Sequence, residues 1–478
     1  MNVVSDKLVK AWANVSPRFL PFADAATDEL PLGRLLRLSL FQVSVAMAVV
    51  LLNGTLNRVM IVELGVPTFV VAIAVSLPLL FAPFRALVGF KSDTHKSALG
   101  WKRAPYIWFG SMLQFGGLAI MPFALILLSG DSNGPAWIGY AGAGLAFLLV
   151  GAGLHTTQTA GLALATDLAP PESRPRVVAF LYVMLLVGMV ATSIVFGWLL
   201  SDFSQLRLIQ VVQGAAAVTM ILNVIALWKQ EVRDPSRTRG PAADDPGFLE
   251  SWQAMAATGP WTRVLVSVGL GTAAFSMQDI LLEPYGGEIL HLSVGQTTAL
   301  TGFLACGTLL GFVIASSVLT SGFDPFRLAA LGAIAGLAAF PLVILSAHVE
   351  SAQIFRAGTL LIGFGGGLFS VGTLTAVMNM SKGRRNGMAL GVWGAVQATA
   401  AGIAIAFGGI IRDGVGALAT SGQLGEALAT PSTGYTAVYH IEIVLLFATL
   451  VAIGPLVGME RVNTSRRSGK FGLAEFPG

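Results

Sequence analysis

Three clusters of polar side chains stand in apolar surroundings at spacings that suit chemistry. The first is Asn53, Asn57, Arg58 and Glu63, in Asn53-Gly-Thr-Leu-Asn57-Arg58-Val-Met-Ile-Val-Glu63. Its two amides are four residues apart, so a helix carries them on one face. The second is Gln278, Asp279 and Glu283, in Ser276-Met-Gln-Asp-Ile-Leu-Leu-Glu-Pro-Tyr285, with the carboxylates again four apart. Ionisable groups at membrane depth are expensive and usually face inward. Arg58 paired with Asp279 or Glu283 would then line a cavity or close a gate. A structural ion pair, a ligand site, and snorkelling of Arg58 and Glu63 to the outer head groups are the other readings. The third cluster is His155, Gln158 and Thr159, in Gly151-Ala-Gly-Leu-His155-Thr-Thr-Gln158-Thr-Ala-Gly161. Imidazole there either bonds between helices, the commoner case, or serves as an axial ligand to a chlorophyll-type magnesium. In the second reading Gly151, Gly153 and Gly161 leave room for a flat ring, and Gln158 and Thr159 reach its carbonyls. His95, His291, His348 and His440 are weaker candidates.

A fourth group lies in a loop, Gly89-Phe-Lys-Ser-Asp93-Thr-His-Lys-Ser-Ala-Leu-Gly100-Trp-Lys102-Arg103. It resembles the major facilitator signature of Gly, Asp, Gly and a basic pair, with a longer spacer. Asp93 suits a helix cap and a bond to Arg174 or Arg176 in Asp167-Leu-Ala-Pro-Pro-Glu-Ser-Arg174-Pro-Arg176. A plain positively charged loop is the alternative.

The elements that position these groups follow from composition. Of 478 residues, 54% are apolar and 11% charged, against roughly 25% charged in soluble domains. A soluble enzyme, a disordered chain and a nucleic-acid binder are thereby excluded. Apolar runs near the length of about 20 residues that spans a bilayer recur twelve times, near 36–57, 68–90, 104–128, 138–166, 176–200, 208–229, 262–283, 295–319, 326–347, 353–380, 387–411 and 437–459. Only helices satisfy the backbone in lipid at such lengths. With both termini cytoplasmic, 24 of the 29 lysines and arginines fall inside, leaving Arg58, Arg207, Arg356 and Arg412 outside and Arg85 within the second span. That asymmetry sets the orientation.

The expected organisation is an amphipathic cytoplasmic tail (1–34), a six-helix bundle (35–229), a cytoplasmic linker with a surface helix around Phe248, Leu249, Trp252 and Met255 (230–261), a second six-helix bundle (262–459) and a cytoplasmic tail (460–478). In the first tail, Val4, Leu8, Ala11 and Val15 follow helical spacing. The first 34 residues hold no continuous apolar core, so no cleavable signal peptide is expected. The halves look weakly repeated: Glu63-Leu-Gly-Val-Pro-Thr68 matches His291-Leu-Ser-Val-Gly-Gln296. The fold class expected is all-α, polytopic and major facilitator-like. Cys306 is a lone small core residue. No phosphate loop or metal-spaced histidine pair occurs, and no catalytic function and no directly bound metal are expected.

The chain resembles the PucC and LhaA family of light-harvesting complex assembly proteins of purple bacteria, a branch of the major facilitator superfamily. The resemblance lies in Leu20-Pro-Phe-Ala-Asp-Ala-Ala26, Gly54-Thr-Leu-Asn-Arg-Val-Met-Ile-Val-Glu-Leu64, Ala82-Pro-Phe-Arg-Ala86, Ser92-Asp-Thr-His-Lys-Ser-Ala-Leu-Gly100, Gln158-Thr-Ala-Gly-Leu-Ala-Leu-Ala165, Arg174-Pro-Arg-Val-Val178, Gln278-Asp-Ile-Leu-Leu-Glu-Pro-Tyr-Gly-Gly287 and Leu390-Gly-Val-Trp-Gly-Ala-Val-Gln397. It implies assembly of antenna complexes in the bacterial inner, intracytoplasmic membrane, with bacteriochlorophyll as cargo and the core antenna favoured over the peripheral one. The partners it implies are light-harvesting antenna polypeptides and membrane lipid, with the reaction centre, bacteriochlorophyll synthase and the insertion machinery beside them. A proton-coupled small-molecule transporter using Asp279, Glu283 and Arg58, and a pigment-free scaffold, are the competing functions.

Overall fold

The computed structural model describes residues 30–80, 101–130, 134–170, 173–231, 259–380 and 386–458, with isolated positions 27, 88 and 92. The expected tail helix, the linker helix and the loop residues Gly89, Asp93 and Gly100 lie outside the described residues. Helices run over Leu32–Glu63 (α1), Thr68–Leu80 (α2), Ala104–Leu128 (α3), Ala136–Leu168 (α4), Arg174–Leu199 (α5) and Gln205–Leu227 (α6). They continue over Trp261–Glu288 (α7), Val294–Thr320 (α8), Pro325–His348 (α9), Ala352–Met380 (α10), Asn386–Thr420 (α11) and Thr433–Ile453 (α12). Among the described residues eleven helices are long and apolar enough to cross a bilayer, and α2 is a shorter apolar helix where the second span was expected. Three spans run further than the apolar pattern suggested: α1 reaches Glu63, α7 reaches Glu288 and α11 reaches Thr420. Polar side chains with nearby partners extend a helix past the point where hydropathy alone would stop it.

The packing repeats with a shift of six helices. The pairs α1–α5, α1–α6, α2–α4, α3–α4 and α3–α6 recur as α7–α11, α7–α12, α8–α10, α9–α10 and α9–α12. The two sets meet through α2 against α11 and α5 against α8, which are themselves equivalent under the shift. α1 also contacts α8.

The repeat seen in the sequence is real, but its register is off by two residues. After α1 the Val66 N–H donates to Met60 O at 2.8 Å, and after α7 the Leu292 N–H donates to Gly286 O at 2.9 Å. These are matching helix-ending loops, each with a left-handed residue, Gly65 (φ 64) and His291 (φ 52). Gly65 therefore matches His291, whereas the residue letters align it with Ser293. Histidine is among the side chains that enter this region at modest cost, so glycine is replaced there and the letters mislead.

Two helices depart from α geometry beside the polar clusters. α1 widens to π-helical turns over Val50–Leu56 and Val59–Glu63, a departure common at functional sites. α7 tightens to a 3-10 turn over Met277–Ile280. Pro284 has no N–H for the Ile280 carbonyl, and the Gln278 N–H is drawn to the carboxylate of Glu442 at 2.7 Å.

Candidate functional site

α1, α7, α8, α11 and α12 bring one acidic and aromatic cluster together. Glu283, 5% exposed, accepts a hydrogen bond from the Thr301 hydroxyl of α8 at 2.8 Å. Asp279, half-buried, accepts from Gln278 Nε2 at 2.5 Å and lies within electrostatic range of both Glu283 and Glu442. Asn57 is fully buried with its amide toward Glu283, while Asn53 is half-buried four residues earlier. The Tyr285 ring meets Phe355, Tyr435 and Tyr439, with centroids 5.4 to 5.5 Å apart. Towards the same end of the bundle, Arg412 donates to Glu288 at 2.5 Å, Asp413 at 2.8 Å and the Tyr435 hydroxyl at 3.1 Å. Asp413 in turn accepts the Phe69 N–H at the start of α2, at 2.8 Å.

Arg58 does not pair with Asp279 or Glu283. It bonds Glu63 on its own helix and donates to Leu292 O, 3.2 Å away in the loop after α7. Gly287 admits it, since a Cβ there would sit 2.9 Å from Arg58 Nε. At 4% exposure Arg58 is buried rather than snorkelled. The short reach to Glu63, five residues on along a π-widened helix, is favoured over a longer reach into α7.

His155 and Thr159 are half-buried along α4, and Gln158 faces Gln42 of α1 with Nε2 3.4 Å from Oε1. The room expected from the neighbouring glycines is taken. Gly151 packs on Pro78, Gly153 on Gly110 and Gln114, and Gly161 on Phe41. These glycines let helices approach each other, so a ring would have to meet His155 from its open side.

At the other end of the bundle the ion pair joins Arg103 to Asp167, at 2.9 Å. Arg174 donates to Ala169 O at 3.3 Å. Lys102 contributes its backbone: the N–H groups of Lys102, Arg103 and Ala104 donate to the Glu231 carboxylate at 2.6 to 3.1 Å. Arg176 lies in the first turn of α5. Reading the sequence missed Glu231, Glu288, Arg412, Asp413, Tyr435, Tyr439 and Glu442. Glu442 carried a usable signal, a lone carboxylate in the apolar run Ile441-Glu442-Ile443-Val444.

Residues 55–461 match the family model described as PUCC protein. The chain belongs to the PucC family. It is 58% identical to "Protein PucC" of Rhodovulum sulfidophilum over 87% of this chain and 92% of that one, and 53% identical to "Protein PucC" of Cereibacter sphaeroides over 96% and 98%. It is also 27% identical to the "Bacteriochlorophyll synthase 44.5 kDa chain" of Rhodobacter capsulatus over 90% and 97%. Among solved structures, a bacterial homologue of the iron transporter ferroportin in its inward-facing state superposes with TM-score 0.65 at 14% identity, over 89% of this PucC chain and 98% of that one. A bacterial homologue of the lysosomal transporter Spinster gives 0.63 at 15%, over 88% and 95%. The PucC chain is thus a multi-pass membrane protein with the major facilitator-like fold.

Proposed function

We propose that this chain assists the assembly of photosynthetic light-harvesting complexes, handing bacteriochlorophyll to antenna polypeptides as they enter the membrane. The observation that carries the reading is the PucC match over residues 55–461, joined by close relatives of the same name from purple bacteria. The pigment assignment is supported by a relative named for bacteriochlorophyll synthase and by a half-buried imidazole at His155. The core antenna is the favoured client, and the reaction centre, bacteriochlorophyll synthase and insertion machinery are its neighbours in this scheme. The protein acts as a non-enzymatic chaperone in the intracytoplasmic membrane, with twelve spans in two bundles and both termini cytoplasmic. The transporters that share its fold favour one second reading, proton-coupled movement of a small molecule.

The test is purification from cells that are making antenna, followed by near-infrared absorption. Co-purified bacteriochlorophyll is expected. Pigment should be lost in His155→Leu at normal protein abundance and partly kept in His155→Asn, which retains an oxygen donor. Antenna polypeptides without pigment would replace delivery by scaffolding, and saturable uptake into liposomes without either would replace it by transport.

A further inference from the structure

The break in α7 gathers more acid than the hydrogen bonds around it use. Glu442, fully buried, binds the Gln278 N–H through Oε1, and its Oε2 meets no donor. Asn57 is aimed at Glu283, yet neither its Oδ1 nor its Nδ2 closes a hydrogen bond. Gln278 donates through Nε2 to Phe275 O and Asp279, while its Oε1 stays unmet. Buried polar atoms without partners are rare in native proteins and call for an explanation.

The charges in the same place do not balance. Asp279, Glu283 and Tyr285 face the cluster from α7, Tyr435, Tyr439 and Glu442 from α12, Arg58 from α1, and Arg412 and Asp413 from α11. From α8 it receives Thr301. Arg58 is matched by Glu63, and Arg412 by Glu288 and Asp413. Among the described residues three carboxyl groups remain without a guanidinium or ammonium. At a rise of about 1.5 Å per residue, Asp279 lies ~13 Å inside the Glu288 end of α7. Bare negative charges repel strongly in such a medium and keep little of their hydration.

We propose that Asp279, Glu283 and Glu442 form a proton-binding site, with protons on the carboxyl oxygens and the unmet side-chain carbonyls of Asn57 and Gln278 there to accept them. A protonated carboxyl becomes a donor as well as an acceptor, which an ionised one is not. Among the described residues no three acidic, thiol or imidazole side chains converge as a metal ion would need. Only O–H bonds form and break, and the protons come from bulk water. Because Glu442 also holds the freed Gln278 N–H, occupancy is tied to the shape of α7. The site is independent of antenna assembly and stands or falls separately from it.

The test uses the full chain in lipid nanodiscs, with infrared spectra and thermal unfolding in sodium or choline buffers of equal ionic strength. For protons, a protonated-carboxyl absorption is present at neutral pH, is the same in both salts, and loses one carboxyl's share in Glu442→Gln. Ionised carboxyls with a rise in Tm in sodium over choline that Glu442→Gln abolishes would put an alkali ion there and overturn the proposal. Ionised carboxyls with no sodium effect overturn the proposal. Isotopic labelling of glutamate carboxyl carbon in the unsubstituted chain assigns the band even if the variant fails to fold, and Glu442→Asp should restore it.

Discussion

The two sets of six helices share one packing plan and fill it with opposite polar chemistry. In the first set the buried charges, Arg58 and Arg103, sit in ion pairs near the helix ends, and the polar groups buried between them are neutral. Asn223 of α6 accepts from the Ser44 hydroxyl of α1 and donates to Ser111 of α3, both at 2.8 Å. Gln114 of α3 donates to the Thr157 hydroxyl of α4 at 2.9 Å. The second set instead buries Asp279, Glu283, Glu442 and three tyrosines between its helices. Amides and hydroxyls can be donor and acceptor at once, so a neutral network needs no ion to supply its donors. Ionised carboxylates only accept, so an acidic network needs cations or protons from elsewhere. The repeat thus fixes how the helices pack, and the local residue types decide which half can change its charge.

The largest expected effect breaks the charged side. Arg412→Ala leaves Glu288 and Asp413, 25% and 20% exposed, without their common partner. Removing one member of a largely buried ion pair costs about 3–5 kcal/mol. The thermal unfolding midpoint in detergent should drop steeply, with Arg412→Lys in between because the ammonium keeps the charge and loses the forked geometry. A drop no larger than that of an exposed control substitution would show that water already screens this network, and the contrast between the sets would weaken.

Much of this plan was legible because it rests on periodicity and loop charge. Eleven spans and the paired polar clusters on α1 and α7 needed only apolar length and the cost of burying polar groups. The partners were not legible. Arg58 looked free to cross to α7, since spacing reports which residues share a face and says nothing of a π-widened turn that carries Glu63 back to it. Gly151, Gly153 and Gly161 looked like space beside His155, because a glycine reads the same whether a ligand or a neighbouring helix fills the gap. Glu442 and Arg412 act through contacts more than a hundred residues away in the chain, which no local pattern encodes.

A middle-sized effect sharpens the neutral side. Asn223 is fully buried and uses both ends of its amide, so Asn223→Ala leaves the hydroxyls of Ser44 and Ser111 short of a partner. The expected loss is about 1–3 kcal/mol. It should be the same in mildly acidic and mildly alkaline buffers, because no group in that network titrates there. Unfolding midpoints of parent and variant across that range measure it. A loss that varied with pH would mean that the first set is coupled to a titrating group, and the division into neutral and acidic halves would be too simple.

The smallest effect concerns how each set ties its ends together. The first N–H groups of α3 are held by Glu231, which follows α6, whereas α9 is capped by its own preceding residue, Asp324. Asp324 also accepts the Gly458 N–H beyond α12 at 2.6 Å. Both carboxylates therefore join equivalent helix ends, supplied from opposite sides of the contact. A negative group at a helix start contributes about 0.3–1 kcal/mol, less at high salt. Glu231→Gln and Asp324→Asn keep an acceptor and remove the charge, so each should lower stability by no more than that and lose the effect as salt rises. Hydrogen exchange distinguishes them. Glu231→Gln should speed exchange at Lys102, Arg103 and Ala104, and Asp324→Asn should do so at Phe326 and Gly458. Unchanged protection at Ala104 would mean that the Glu231 contact is incidental and that the two ends are closed by different means.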